Sequence, residues 1–123
     1  MKKHTVKNKQ NPEDKMLKKI LKVLEDKKAE DIQIFKVQDL VSYTDYFVFC
    51  TGTSNPHLKA LHDSIKKDLK KDKHKILGSG AKDSGWVVLD CGMVVVHCLN
   101  QKQRDRYRLE ELWQDADIVH HHY

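Results

Sequence analysis

Paired cysteines, long apolar runs and convergent acidic residues are all scarce in this chain, and each shortage removes a class of function. The three cysteines, Cys50, Cys91 and Cys98, are an odd number without paired metal spacing. They fall in or beside predicted strands, so reduced and mostly buried thiols are expected rather than a disulfide framework. No apolar run approaches a membrane span and no signal-peptide core stands at the start. Without an Arg-rich transit segment, the expected setting is a bacterial-type cytoplasm. Also missing are zinc-ligand spacing, a nucleophile elbow and a glycine-rich phosphate loop with its Lys and Ser/Thr. Cys50 has no sequence cue for a base beside it. Metal-dependent phosphoryl chemistry needs two or three converging carboxylates, and the predicted strands offer only Asp90. Neither a cofactor nor a resident metal is expected. His120, His121 and His122 could bind metal loosely, but they read as a solvated tail.

What is present is one domain's worth of sequence with an uneven charge. A chain of 123 residues is long enough to bury roughly two thirds of its unfolded surface without staples. Residues 1–30 hold ten lysines against five acids, and residues 31–123 balance at thirteen basic and thirteen acidic, so the early segment supplies the whole excess of +5. The sequence divides into a basic arm over 1–11, a domain over 12–116 and a tail over 117–123. The arm has no apolar periodicity. It reads as a solvated tail or, alternatively, as an arm along phosphate backbones.

Asn11, Pro12, Glu13 and Asp14 give an N-cap, a first-turn proline and acids at the positive end of a helix. Met16, Leu17, Ile20, Leu21 and Leu24 extend that helix at amphipathic spacing to about Ala29. Strands are predicted over Ile32–Val37 and over Tyr46–Thr51, the latter a continuous apolar run typical of a central strand. Ser54 should cap a second helix with Leu58, Leu61, Ile65 and Leu69 as its apolar stripe. Lys59, Lys66, Lys70 and Lys73 line up about 90° around that helix at roughly 100° per residue. That row reads as a solvated face or a ribosomal RNA contact. Ile76 and Leu77 suggest a short third strand, and residues 78–84 a loop. A last helix is expected from about Gln103 to Trp113. Leu109, Leu112 and Trp113 share one side of it, and Tyr107 points about 160° away by helical count, exposed between Arg104, Arg108 and Glu111.

The run Gly85–Leu99, GWVVLDCGMVVVHCL, reads as a hairpin closed by Cys91 and Gly92, which would pair Asp90 with Met93 and Trp86 with His97. Alternation puts Val87, Leu89, Val94, Val96 and Cys98 on one face. Trp86, Val88, Asp90, Met93, Val95 and His97 fall on the other. The first face is core. The second carries an indole, an imidazole and a carboxylate, and either meets another macromolecule or lies under a further helix with Trp86 inside. The element order points to an α/β single domain on one mixed sheet of about five strands with flanking helices.

Three motifs in order, TDYFVFCTGTSN, GWVVLDCGMVVVH and RYRLEELW, resemble the ribosomal silencing factor family, RsfS or Iojap-like, over about residues 13–115. The resemblance implies a nucleotidyltransferase-like sheet without the catalytic acids, and no enzyme activity. It implies a factor that binds the large ribosomal subunit through ribosomal protein L-fourteen and blocks joining of the small subunit, lowering translation when nutrients are scarce. Trp86, Asp90, His97 and Tyr107 match motif positions, as do Leu109, Glu110, Leu112 and Trp113. Of these, Trp86, Asp90 and Tyr107 are the expected contacts, with His97 extending the Trp86 face and Glu111 pairing with basic partner side chains. Many members carry Tyr and Asp where this chain has Cys91 and Met93, which removes an acid from the hairpin turn. Family members also self-associate, and the Val-rich hairpin is the expected surface for a homodimer. Two other readings stand beside this one: a basic RNA-binding module acting in ribosome assembly, and a nucleotidyltransferase-like enzyme using Ser54 and Asp90. The TGTSN segment before the second helix is similar to the Gly-Ser loop of such enzymes. No membrane partner is expected.

Overall fold

The computed structural model describes residues 12–108 and 117–122. The predicted cap at Asn11 lies outside them. Helix α1 spans Pro12–Asp26 and stops three residues short of the expected Ala29. Lys28 turns the chain in a left-handed conformation, φ 66°, and delivers it to β1, Glu30–Lys36. Strand β2 occupies Tyr46–Thr51, as its apolar run predicts. Helix α2, Asn55–Lys71, starts on Ser54, whose hydroxyl accepts the His57 amide at 3.1 Å. This is the N-cap expected from sequence, satisfying one of the amides a helix start leaves unpaired.

Strand β3 covers Gly78–Asp83. The expectation of a strand at Ile76 and Leu77 followed by a loop is therefore displaced. The glycines and serine of GSGAKD hide the strand from a propensity reading, because pairing with β4 rather than side-chain preference holds it extended. Strands β4, Trp86–Asp90, and β5, Val94–Leu99, form the hairpin. Its turn falls one residue later than predicted. Cys91 donates to Val94 at 2.9 Å, leaving Gly92 and Met93 as the turn. Gly92 sits at φ 85°, and its amide donates to the Asp90 carboxylate at 2.9 Å. Consequently Asp90 pairs with Val95, Val88 with His97 and Trp86 with Leu99. Each pairing moves by two residues, so no side chain of the strands changes face. Only Met93 departs, packing against the helix-side core from its place in the turn.

Helix α3, Gln101–Tyr107, begins earlier than expected on an Asn100 cap and ends at Arg108, which is left-handed at φ 48°. It does not run on unbroken to Trp113, and Leu109, Glu110, Glu111, Leu112 and Trp113 lie outside the described residues. Asp117–His122, read as a tail from sequence, forms a further strand, β6.

The sheet order is β3-β4-β5-β2-β1-β6. Strands β2 and β5 are parallel and every other neighbour pair is antiparallel. The mixed sheet of about five strands is present, with its third strand displaced to Gly78–Asp83 and β6 added beyond β1. Helices α1 and α2 cover one face, burying Leu17, Ile20, Leu24, Val48, Leu61, Ile65 and Val96 among others. The opposite face holds Phe35, Phe47, Phe49, Trp86, Val95 and Leu99. Alternation along β2 makes both layers from one strand: Val48 and Cys50 face the helices, Phe47 and Phe49 the other side.

Candidate functional site

The aromatic face is organised around His97. Its ring meets Phe49 and Phe47 with centroids 5.1 and 5.6 Å away, and its Nδ1 accepts the Trp86 indole N–H at 3.1 Å. The contact is diagonal across the hairpin, since His97 pairs directly with Val88. Trp86 then lies against Tyr107 of α3, ring centroids 5.0 Å apart. Trp86 is only 8% exposed, whereas Tyr107 is 37% exposed. The expectation that Trp86 itself presents a contact surface is thus corrected: the indole is a core residue that supports the tyrosine above it. Tyr107 is open as predicted, with the Arg106 guanidinium 5.4 Å from its ring centre.

Helix α3 is held in place by residues whose part the sequence reading missed. Arg104, expected to flank Tyr107 at the surface, is 3% exposed. Its guanidinium donates to the Asp31 carbonyl and the Thr51 hydroxyl at 3.0 Å each and pairs with the Asp31 carboxylate at 3.2 Å. The helix is thereby tied to β1 and β2. Gln103 donates to the Ser84 carbonyl at 2.6 Å, tying it also to the turn before β4. At that turn Gly85 takes φ +80°, and a Cβ there would collide with the Asn100 side chain that caps α3. A signal was available for this contact: a glycine directly before WVVLD and an asparagine directly after VHCL.

Asp90 sits at the other end of the hairpin. With Val88, His97 and residues 78–81 it lines an open depression of about 230 Å³. The small residues of β3 leave this part of the sheet bare. Tyr107, Trp86, His97 and Asp90 thus belong to one continuous face, from the α3 end to the hairpin turn.

The other sequence-predicted candidates separate. Ser54 follows the end of β2 marked by the Thr51–Leu99 pair, and Asp90 sits at the opposite end, near the Tyr46–Val94 pair. About five residues of strand, roughly 17 Å, divide those ends, so an enzymatic constellation of Ser54 with Asp90 is not assembled. The amides of the Thr53–His57 loop serve the fold as well. Thr53 donates to His57 Nδ1 at 2.9 Å, while His57 Nε2 meets the Lys27 carbonyl at 2.7 Å and fastens α2 to the turn after α1. Of the lysine stripe, Lys59 pairs with Asp63 at 2.8 Å, and Lys73 lies beyond the end of α2, leaving Lys66 and Lys70 as the helical remnant. Of the hairpin valines, Val94, Val95 and Val96 are buried within the chain, whereas Val87 and Val88 are half-buried.

The thiols are buried, as the sequence suggests. Cys50 lies 3.5 Å from Cys98 on the adjacent parallel strand, and that contact together with burial holds its thiol well above the ordinary range. Burial, reinforced by the Asp90 carboxylate, pushes Cys91 up to about 12. No group of three or more potential metal-ligating side chains occurs among the described residues. No described helix is long and apolar enough to cross a membrane.

The fold and this face define a class: a small α/β sheet protein with helices α1 and α2 on one side and, on the other, an aromatic layer that meets the short helix α3 and is edged by a carboxylate. Comparison with known proteins supplies the family. The family described as ribosomal silencing factor during starvation, RsfS, matches residues 9–122. The chain belongs to this family. It is 34% identical over 95 residues to ribosomal silencing factor RsfS of Haemophilus influenzae, covering 76% of this chain and 93% of that one. Over 100 residues it is 39% identical to mouse mitochondrial assembly of ribosomal large subunit protein 1, covering 76% of this chain and 43% of that longer protein. A crystal structure from Chromobacterium violaceum superposes with TM-score 0.78 at 37% identity, covering 81% of this chain and 84% of that one.

Proposed function

We propose that this protein is a ribosomal silencing factor of the cytoplasm that binds the large subunit through ribosomal protein L-fourteen and sterically prevents small-subunit joining, repressing translation under nutrient limitation. The observation that carries the reading, in a chain of this family, is the Tyr107–Trp86–His97 stack with Asp90 farther along the same face. Interfaces draw much of their affinity from a few rigid aromatic side chains beside polar groups. Tyr107 provides the exposed ring and Asp90 a carboxylate for a basic partner side chain, with Glu111 proposed as a second. Trp86 and His97 are positioning residues beneath Tyr107. Steric exclusion requires no reaction. A bound domain of 14.4 kDa only has to occupy the space that the other subunit needs.

The direct test is co-sedimentation with purified large subunits, followed by addition of small subunits and measurement of the joined fraction. Co-migration with a dose-dependent fall in joined ribosomes is the expected result. Failure to co-migrate at micromolar protein would remove this function. A role in ribosome assembly is a second reading, favoured by the mouse relative being named for assembly of the mitochondrial ribosomal large subunit. Preferential binding to immature over mature large subunits would select it.

A further inference from the structure

Residues 12–28 and 55–75, the helical layer with its turns, hold thirteen lysines against seven acids, more than the whole-chain excess of +5. The structure divides those lysines. Lys19 pairs with Asp72 at 2.9 Å, Lys22 with Asp26 at 3.2 Å and Lys59 with Asp63 at 2.8 Å. Lys66, Lys67, Lys70, Lys71, Lys73 and Lys75 crowd the last turns of α2 and the segment leaving it, and none of the six makes an ion pair with a described acid. All are exposed except Lys66, which is half-buried. Of the two acids within that stretch, Asp72 is taken by Lys19, and Asp68 also acts on Lys19, helping to raise its pKa. The ordinary reason for lysines here is the negative end of the helix dipole, which acts only over the final turn. It accounts for Lys70 and Lys71. It does not account for Lys73 and Lys75 beyond the helix, or for Lys66 and Lys67 before its last turn.

The cluster also adjoins the proposed docking face. Two residues after Lys75, the Leu77 amide donates to the Asp90 carbonyl at 2.8 Å, so the basic segment leads directly to the Asp90 end of the hairpin. Around it there is little apolar surface with which to anchor a protein; Leu77, at 60% exposure, is the large apolar side chain standing open there. Phosphates require no such anchor, because release of condensed counterions by ammonium groups supplies the affinity.

We propose that the lysine cluster at the C-terminal end of α2 grips phosphates of large-subunit ribosomal RNA beside the Asp90 end of the docking face. This rests on the large-subunit reading above. It reassigns the RNA contact expected of the α2 stripe: Lys59, already paired, takes no part, and Lys67, Lys71 and Lys75 join.

The test is large-subunit affinity as a function of salt for the wild type, a Lys66→Gln/Lys67→Gln/Lys70→Gln/Lys71→Gln variant, Lys59→Gln and Tyr107→Ala. Each lost phosphate contact removes about 0.7–0.9 from the slope of log affinity against log salt. The quadruple variant should therefore flatten the slope by about 3 and bind more weakly at low salt, while Lys59→Gln keeps the wild-type slope. Tyr107→Ala should lower affinity at every salt concentration without changing the slope. The same slope for quadruple variant and wild type would overturn the proposal. So would an equal flattening against isolated ribosomal protein L-fourteen, which would make the contact one with protein. If the wild type does not bind subunits at all, the docking reading fails separately. Filter binding to naked large-subunit RNA then decides, with equal binding by wild type and quadruple variant refuting the RNA grip.

Discussion

Tyr107 and Trp86 touch each other yet should respond to truncation in opposite ways. Tyr107 stands on the helix surface with its ring resting on Trp86, so Tyr107→Ala removes exposed contact area and little core. It should leave the denaturation midpoint nearly unchanged and weaken large-subunit binding by about 2 kcal/mol, roughly thirtyfold. Trp86→Ala opens a cavity between α3 and the sheet and frees the His97 acceptor, at a cost of about 3 kcal/mol in stability. Urea denaturation of both variants beside a binding titration checks the pair. A Trp86→Ala protein with wild-type stability and lost binding would instead make the indole a direct contact. The sequence displayed both residues but could not assign their roles, because alternation along a strand says which side chains share a face and not what lies over it. Arg104 shows the same boundary. Helical spacing placed it next to Tyr107, while its burial depends on Asp31 and Thr51, which are 73 and 53 residues away in the chain.

Among the helices, α3 has the smallest hydrophobic stake, its buried residues being Gln103 and Arg104, and it is held by specific polar attachments. Seven residues cannot hold a helix alone. Its position depends on the Asn100 cap, Gln103 on Ser84 and Arg104 on β1 and β2. Gly85 allows that arrangement through its left-handed φ and its missing Cβ. Gly85→Ala should therefore cost about 1–2 kcal/mol. It should also weaken large-subunit binding, since the helix it displaces carries Tyr107. Midpoint and affinity falling together would support this coupling, whereas unchanged affinity would detach α3 placement from the site. Element types were mostly legible from periodicity and caps: α2 from Ser54 and its leucine stripe, β2 from its apolar run. Boundaries were less so. The hairpin turn moved by one residue because the Asp90 carboxylate and the φ of Gly92 select Gly92–Met93, a choice between adjacent turns that propensity does not resolve.

For the molecule as a whole, β6 is the clearest product of tertiary context. Asp117–His122 contains three consecutive histidines and lacks the alternation of a half-buried strand, yet it pairs antiparallel with β1 over Ile32–Lys36. Any backbone can complete a sheet edge if its amides and carbonyls fall in register. Removal of residues 117–123 should expose the β1 edge, lower the denaturant midpoint and increase self-association on sizing columns. Wild-type stability and a monomeric profile would show that β6 contributes nothing to the fold. By itself, the amino-acid order determined the α/β class, the two faces of the hairpin, the Ser54 cap, the unpaired thiols and the family, since all of these follow from local pattern or motif. Only the tertiary structure decided that Trp86 lies beneath Tyr107, that Ser54 and Asp90 stand at opposite ends of the sheet, and which lysines are already paired. Those outcomes depend on contacts between residues far apart along the chain, and periodicity within a segment carries no information about them.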